Sequence, residues 1–286
     1  MKRMTVVFIA IIVAFAFSSC EKGQLGVYNP KKKIHKVYKL VDSEKQLAET
    51  WNWDNDKLKW VDIHVGDGFS ATDIFEYDGN FMSKITRSVS VPPLVIPLVN
   101  ETFLTYDGKK LVGINSKLNG VTIMDIALIY KGNKVSQMGI TSPIFEEIDK
   151  AFPSLRYVLP AQIFDIAKET HKSMTKTSPV EYDAIVFLTW EKDNFVKAVT
   201  QSQTMEGVTE YSYDNMNNPF YGLVVGGSTN GFTKNNMTKL VSTQNNYPNS
   251  KYEQTYTYKY ENNYPIEFTV EDSDDDTETT YYEYID

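Results

Sequence analysis

The 286-residue sequence predicts an all-β fold, an antiparallel meander of repeated hairpins forming a curled sheet or barrel-like half-barrel, with a short helical insertion near 141–179. Two observations carry the prediction. The first is an aromatic residue followed by a turn, in Trp53-Asp54-Asn55, Tyr77-Asp78-Gly79, Tyr106-Asp107-Gly108, Tyr130-Lys131-Gly132, Trp190-Glu191-Lys192, Tyr213-Asp214-Asn215 and Tyr260-Glu261-Asn262, spaced by 24, 29, 24, 60, 23 and 47 residues. Asp-Gly supplies both positive-φ positions of a type I′ hairpin turn, and a recurring period of this size signals an architecture made by repetition. The second is period-two alternation. Tyr252, Tyr256, Tyr258 and Tyr260 share one parity against Glu253, Thr255, Thr257 and Lys259, and Tyr264, Ile266, Phe268 and Val270 repeat the pattern against Pro265, Glu267 and Thr269. One face is therefore packed and the other wet. The tyrosine stripe reads as a core face with cross-strand aromatic pairs, or else as a carbohydrate-stacking surface.

Taken in order, the chain opens with Lys2 and Arg3, an apolar run from Met4 to Phe17, and Phe17-Ser18-Ser19-Cys20. That is the plan of a secretory signal, too short for a membrane span. Residues 1–19 are read as the signal peptide and 20–32 as a polar linker; the β-rich body occupies 33–286. Cys20 is the one cysteine, so no internal disulfide can form. The spacing of 47 suggests a degenerate copy of the unit around Phe232 to Leu240, and the spacing of 60 one period plus an insertion.

Three stretches depart from the hairpin pattern. Val89 to Val99 is apolar and punctuated by Pro92, Pro93 and Pro97, which excludes a central strand; it either covers an open end of the sheet or forms a binding loop. Val121 to Tyr130 and Tyr182 to Trp190 are apolar on both parities, so their second face needs cover. Between them, Pro143 to Lys150 and Pro160 to Lys168 have helical spacing, with Ser142 as an N-cap candidate, and these helices are expected to pack on the sheet or plug it.

The signal resembles a lipoprotein signal with its lipobox, which implies lipidation of Cys20, although Phe17 stands where Leu is usual. Together with the Tyr-Asp units it is similar to a Bacteroidetes lipoprotein family of unknown function with a porin-like fold of antiparallel hairpins. The resemblance implies a cell-envelope protein at the outer membrane, facing the periplasm or the surface, and brings no activity and no site residues.

Formal charge is -8, and removal of Lys2 and Arg3 makes it -10. Eight acids fall between Glu271 and Asp286, which is the wrong sign for a nucleic-acid partner. Asp272, Asp274 and Asp276 have the one-three-five spacing of a calcium loop with Glu283 at the twelfth position. Thr277, however, stands where that loop needs glycine, so the run is either a solvated hairpin loop or a weak calcium site. His35, His64 and His171 lack metal-ligand spacing. Gly226-Gly227-Ser228-Thr229-Asn230-Gly231 misses the nucleophile elbow, and the repeated turn acids serve backbone chemistry. No catalytic residue and no cofactor is expected. Three roles fit: a non-enzymatic, lipid-anchored protein binding a glycan, peptide or protein; an assembly accessory pairing through an exposed sheet edge; and a hydrolase using acidic residues. An interior filled by side chains would exclude a small ligand.

Overall fold

The computed structural model describes residues 24–65, 69–90, 98–142, 182–202, 206–224, 230–244, 247–273 and 276–285. These form sixteen strands: β1 (Lys33–Val41), β2 (Glu44–Asp54), β3 (Lys57–Val65), β4 (Phe69–Asp78), β5 (Phe81–Ser90), β6 (Leu98–Asp107), β7 (Lys110–Leu118), β8 (Val121–Lys131), β9 (Lys134–Thr141), β10 (Ala184–Glu191), β11 (Asn194–Ser202), β12 (Glu206–Asn217), β13 (Asn235–Gln244), β14 (Tyr247–Glu261), β15 (Tyr264–Asp272) and β16 (Thr277–Ile285). Each pairs antiparallel with its neighbours in sequence, and β1 also pairs with β16 through Lys33↔Ile285 and Val37↔Tyr282, closing a barrel. Closure corrects one expectation. No strand among the described residues keeps a free edge, so an accessory that works by edge pairing has no edge to offer.

The repeated units build one mouth of the barrel. There, two-residue turns join β2 to β3, β4 to β5, β6 to β7, β8 to β9, β10 to β11 and β14 to β15. Asp78 closes β4 opposite Phe81, and of the two central residues only Gly79 takes a left-handed φ, at 58°. The expected pair of positive angles at Asp78 and Gly79 is thus not the one used. In each of the first five units the ladder slips by one residue at the aromatic itself, as between Glu76 and Tyr77 or Thr105 and Tyr106. Such a bulge sharpens the local twist and re-aims a side chain. The opposite mouth carries the tight turns at Asp42-Ser43 and Asn119-Gly120 and the longer connections. The proline-punctuated residues 91–97 and most of the expected helical insertion, residues 143–179, lie outside the described residues. At its edge Ser142 hydrogen-bonds the Ile123 carbonyl through Oγ at 2.9 Å and Asp183 through its N–H at 2.6 Å.

The wall is apolar inside. Trp51, Val61, Phe75, Ile85, Ile114, Leu128, Val186 and Leu188 are buried. Outside, Lys84 pairs with Glu101 and Lys259 with Glu267, both at 2.7 Å, and Lys239 pairs with Glu253. Outward apolar residues also occur, among them Trp60, Ile74 and Ile129, each exposed. Tyr256 and Tyr258 turn inward as the alternation predicts, with Tyr258 against Phe268.

A sixteen-stranded barrel is too wide for its wall side chains to fill, and two segments enter the lumen. Residues 24–32 form one. Tyr28 is 3% exposed and donates its hydroxyl to the Pro219 carbonyl at 2.9 Å, while the Met82 N–H donates to the Gly26 carbonyl at 2.9 Å. The second half of the expected linker is therefore part of the core. The connection between β12 and β13 is the other segment, burying Leu223, Val224 and Phe232. It folds back so tightly that a Cβ on Gly231 would lie 1.7 Å from the Leu223 carbonyl oxygen. This excursion accounts for the spacing of 47. No degenerate hairpin exists around Phe232 to Leu240; the chain goes inward there and returns as β13.

Candidate functional site: a cavity inside the barrel

The short-turn mouth is sealed by a ring of inward aromatics. Each donates to the carbonyl of a residue on a preceding strand: Trp53 to Ile34 at 2.7 Å, Tyr77 to Leu58 at 3.0 Å, Tyr106 to Met82 at 2.7 Å, Tyr130 to Leu111 at 2.8 Å, Trp190 to Val135 at 2.5 Å and Tyr213 to Phe195 at 2.8 Å. Tyr258 and Tyr284 continue the ring through Met237 and Pro265, at 2.7 Å each. Tyr260, at the bulge of β14, turns instead to Asp214 and Asn236. Ile34, Leu58, Met82 and Leu111 are 0% exposed, so each bond satisfies a carbonyl that water does not reach. Burial pushes the Tyr77 and Tyr130 phenols up to about 12, so they stay protonated donors well into the alkaline range.

Above this ring and the inserted segments the described residues do not fill the lumen. A cavity of about 320 Å³ lies between β1 to β5, β15 and β16, with Phe220, Leu223 and Gly231 of the β12–β13 connection beneath it. That volume is at the lower end for ligand pockets. The register fixes its layering. Nearest the ring are Trp51, Val61, Phe75 and Tyr282; one step toward the opposite mouth come Glu49, Asp73, Arg87 and Lys39, then Glu278. The cavity thus has an apolar, aromatic floor and a charged rim.

The rim charges differ in how they are satisfied. Asp73, 3% exposed, takes two bonds from Arg87, at 2.6 Å from both Nε and Nη2. This geometry holds the guanidinium's pKa above its ordinary value. Lys39 meets Glu278 at 2.6 Å. Among the described residues Glu49 accepts one bond, from Trp51 Nε1 at 2.7 Å. Burial raises its pKa, opposed by the Trp51 bond; Asp73 adds to the rise, while Arg87 and Lys39 pull against it. A second cavity of about 250 Å³ shares Phe220, Phe268 and Tyr282 with the first. A third, about 310 Å³, lies at the short-turn mouth between Gln24, Lys110, Lys134 and Trp190.

The residues singled out in the sequence lie elsewhere. Asp272 and Asp276 meet across the β15–β16 turn, where the Asp276 N–H donates to Asp272 Oδ1 at 3.2 Å. Glu283 is well along β16, accepting the Tyr38 hydroxyl at 2.8 Å and paired with Lys36; at about 3.3 Å per strand residue it stands some 20 Å from the turn. The structure therefore does not bring Glu283 to Asp272 and Asp276, and Asp274 lies outside the described residues, as does Cys20. No group of three or more potential metal ligands occurs among the described residues. Glu49, Asp73, Arg87 and Lys39 carried a signal that spacing arguments passed over. Each has the inward parity of its strand, Glu49 with Trp51 and Asp73 with Phe75, and so puts a charge where the alternation demands an apolar residue.

No protein-family model matches the chain, and no curated protein matches it. Solved structures do, two porin-like proteins among them. One is a porin-like protein from Bacteroides uniformis ATCC 8492, 11% identical with a TM-score of 0.49, the match covering 90% of this chain and 99% of that one. The other is a porin-like protein from Bacteroides vulgatus ATCC 8482, 11% identical with a TM-score of 0.40, covering 89% and 99%.

Proposed function

We propose that the protein is a non-enzymatic binding protein of the cell envelope, held to the outer membrane through a lipidated Cys20, that takes a small ligand inside its barrel. The observation that carries this reading is the cavity. Among the described residues, two inserted segments and an aromatic ring occupy part of the lumen, and a space with an aromatic floor and a charged rim lies between them and the wall. A binding role is favoured over hydrolysis because Asp73 has both oxygens committed to Arg87. Two-carboxylate chemistry needs a second carboxylate free to act as base or nucleophile.

The anchor and the cavity fit one arrangement. Gln24, four residues after Cys20, lies at the short-turn mouth, so a lipid on Cys20 sets that mouth toward the membrane and leaves the charged rim facing away. Standing on the bilayer suits the wall, whose outward Lys–Glu pairs are the reverse of the apolar outer band of a spanning barrel. The test is a thermal-shift screen of small glycans, peptides and metabolites on the wild type and on Val61→Trp, which puts an indole into the cavity. A ligand that raises Tm in the wild type and not in V61W supports the reading. Equal shifts in both proteins, or none from any compound class, would overturn it.

A further inference from the structure

Among the described residues the rim of the cavity is not electrically balanced. Lys39 and Arg87 are two cations against the three carboxylates Glu49, Asp73 and Glu278. Arg87 and Asp73 neutralise each other in a two-bond pair, and Lys39 and Glu278 do so at 2.6 Å. One negative charge is left over, on Glu49. Among the described residues its hydrogen-bond partner is Trp51, whose Nε1 donates to Oε2, and Oε1 has none. The rings of Trp51, Phe75 and Tyr282 line the same cavity, Trp51 two residues nearer the short-turn mouth on the same strand.

A carboxylate with an uncommitted oxygen in a cavity lined by aromatic rings can recognise positive charge in two ways at once. The carboxylate forms a charge-assisted hydrogen bond to an ammonium, and the negative faces of the rings attract the same charge where water is scarce. Resting on the reading of this cavity as a ligand site, we infer that its ligand is a small organic cation, an amine or guanidinium on an apolar body. The positive group sits against Glu49 and the body lies on the rings. The two neighbouring cations do not compete, because each is held by its own carboxylate. An anionic ligand of the same shape would meet the uncompensated charge of Glu49.

The experiment uses three probes of nearly one shape, phenethylamine, 2-phenylethanol and phenylacetate, with methyl glucoside as a sugar control. Each is titrated by calorimetry at pH 7 into the wild type, Glu49→Gln and V61W. The expected result is that phenethylamine binds at least ten-fold more tightly than the alcohol, the acid or the glucoside, that E49Q removes most of this preference while leaving the alcohol unchanged, and that V61W removes all binding. Equal or tighter binding of the alcohol or the glucoside, abolished in V61W, overturns the cation assignment and leaves the cavity reading standing. A preference for amine that survives E49Q also overturns it. Binding that V61W does not affect, or no binding of any probe, overturns both. A melting curve for each variant confirms that it is folded.

Discussion

The hydroxyl of Tyr77 donates to the carbonyl of Leu58 across adjacent strands at 3.0 Å, and Leu58 is 0% exposed. The same bond recurs around the mouth, with tyrosine or tryptophan as donor. In six of the seven sequence units the repeat is therefore a repeat of this one interaction, Tyr260 turning to Asp214 and Asn236 instead. At Tyr77 the bulge at the aromatic's own position accompanies its inward turn onto the Leu58 carbonyl.

Replacing Tyr77 by Phe keeps the ring and removes the donor. Leaving the Leu58 carbonyl unpaired is expected to cost about 1–3 kcal/mol, read as a lower urea midpoint at an unchanged m-value. An unchanged midpoint would show that the ring, and not its hydroxyl, is what the position needs.

The Asp73–Arg87 pair gives a sharper loss. Arg87→Ala strands a carboxylate whose side chain is 5% exposed, the guanidinium being 42% exposed, and leaving a buried acceptor without its partner costs about 1–3 kcal/mol, more for a charged group. Replacing both residues by apolar ones should recover most of that. A double-mutant cycle followed by chemical denaturation measures the coupling.

Glu49 makes stability depend on pH. In the unfolded chain it titrates near 4.5, and in the folded protein higher, chiefly through desolvation. The folded state thus holds the proton more tightly. The associated stability is fully present below pH 4.5 and is lost as pH rises through the folded value. Asp73, Arg87 and Lys39 face the same group and are unchanged in Glu49→Gln. That variant should therefore show a flatter Tm profile above pH 4.5 and equal or greater stability at pH 7.

Calcium should do nothing to the melting temperature at millimolar concentration, since Glu283 bonds Tyr38 far along β16 from the turn that holds Asp272 and Asp276. A saturable upward shift, absent in Asp272→Asn, would restore the acidic run as a site.

Gly231→Ala tests the inserted connection. With the Leu223 carbonyl oxygen 1.7 Å from the new Cβ, the backbone must move. The expected loss is about 2 kcal/mol or more, in the range of overpacking in a tight core. Gly79→Ala meets no atom within 4 Å but keeps a φ of 58°, and about 1 kcal/mol is expected there from the left-handed backbone alone. Reversed magnitudes in denaturation would remove the packing explanation.

The wall was legible in the sequence because alternation and turn chemistry are local: Tyr77-Asp78-Gly79 announces a hairpin by itself, and Glu253 and Lys259 announce the wet face. Closure was not, since nothing in Val37 names Tyr282 as its partner 245 residues away. The inserted segments were equally hidden. Residues 24–32 have a linker's composition, and only the lumen of a wide barrel gives Tyr28 somewhere to go. The cavity rim fell between these cases. Glu49 and Asp73 broke the pattern in plain view, but a charge at an inward position becomes a site only when several strands bring such positions together.

The pairing of β1 with β16 has a consequence for biogenesis. The first strand finds its second partner only when the last strand exists, and the contact that seals the barrel has nearly the longest sequence separation the chain allows, which makes it slow to form. Until then both flanks of a fifteen-strand sheet are open templates for other chains. A protein that loses only β16, to a protease or a premature stop, is thus left not slightly shortened but adhesive, and its clearance matters more to the compartment that holds it than the loss of one strand suggests.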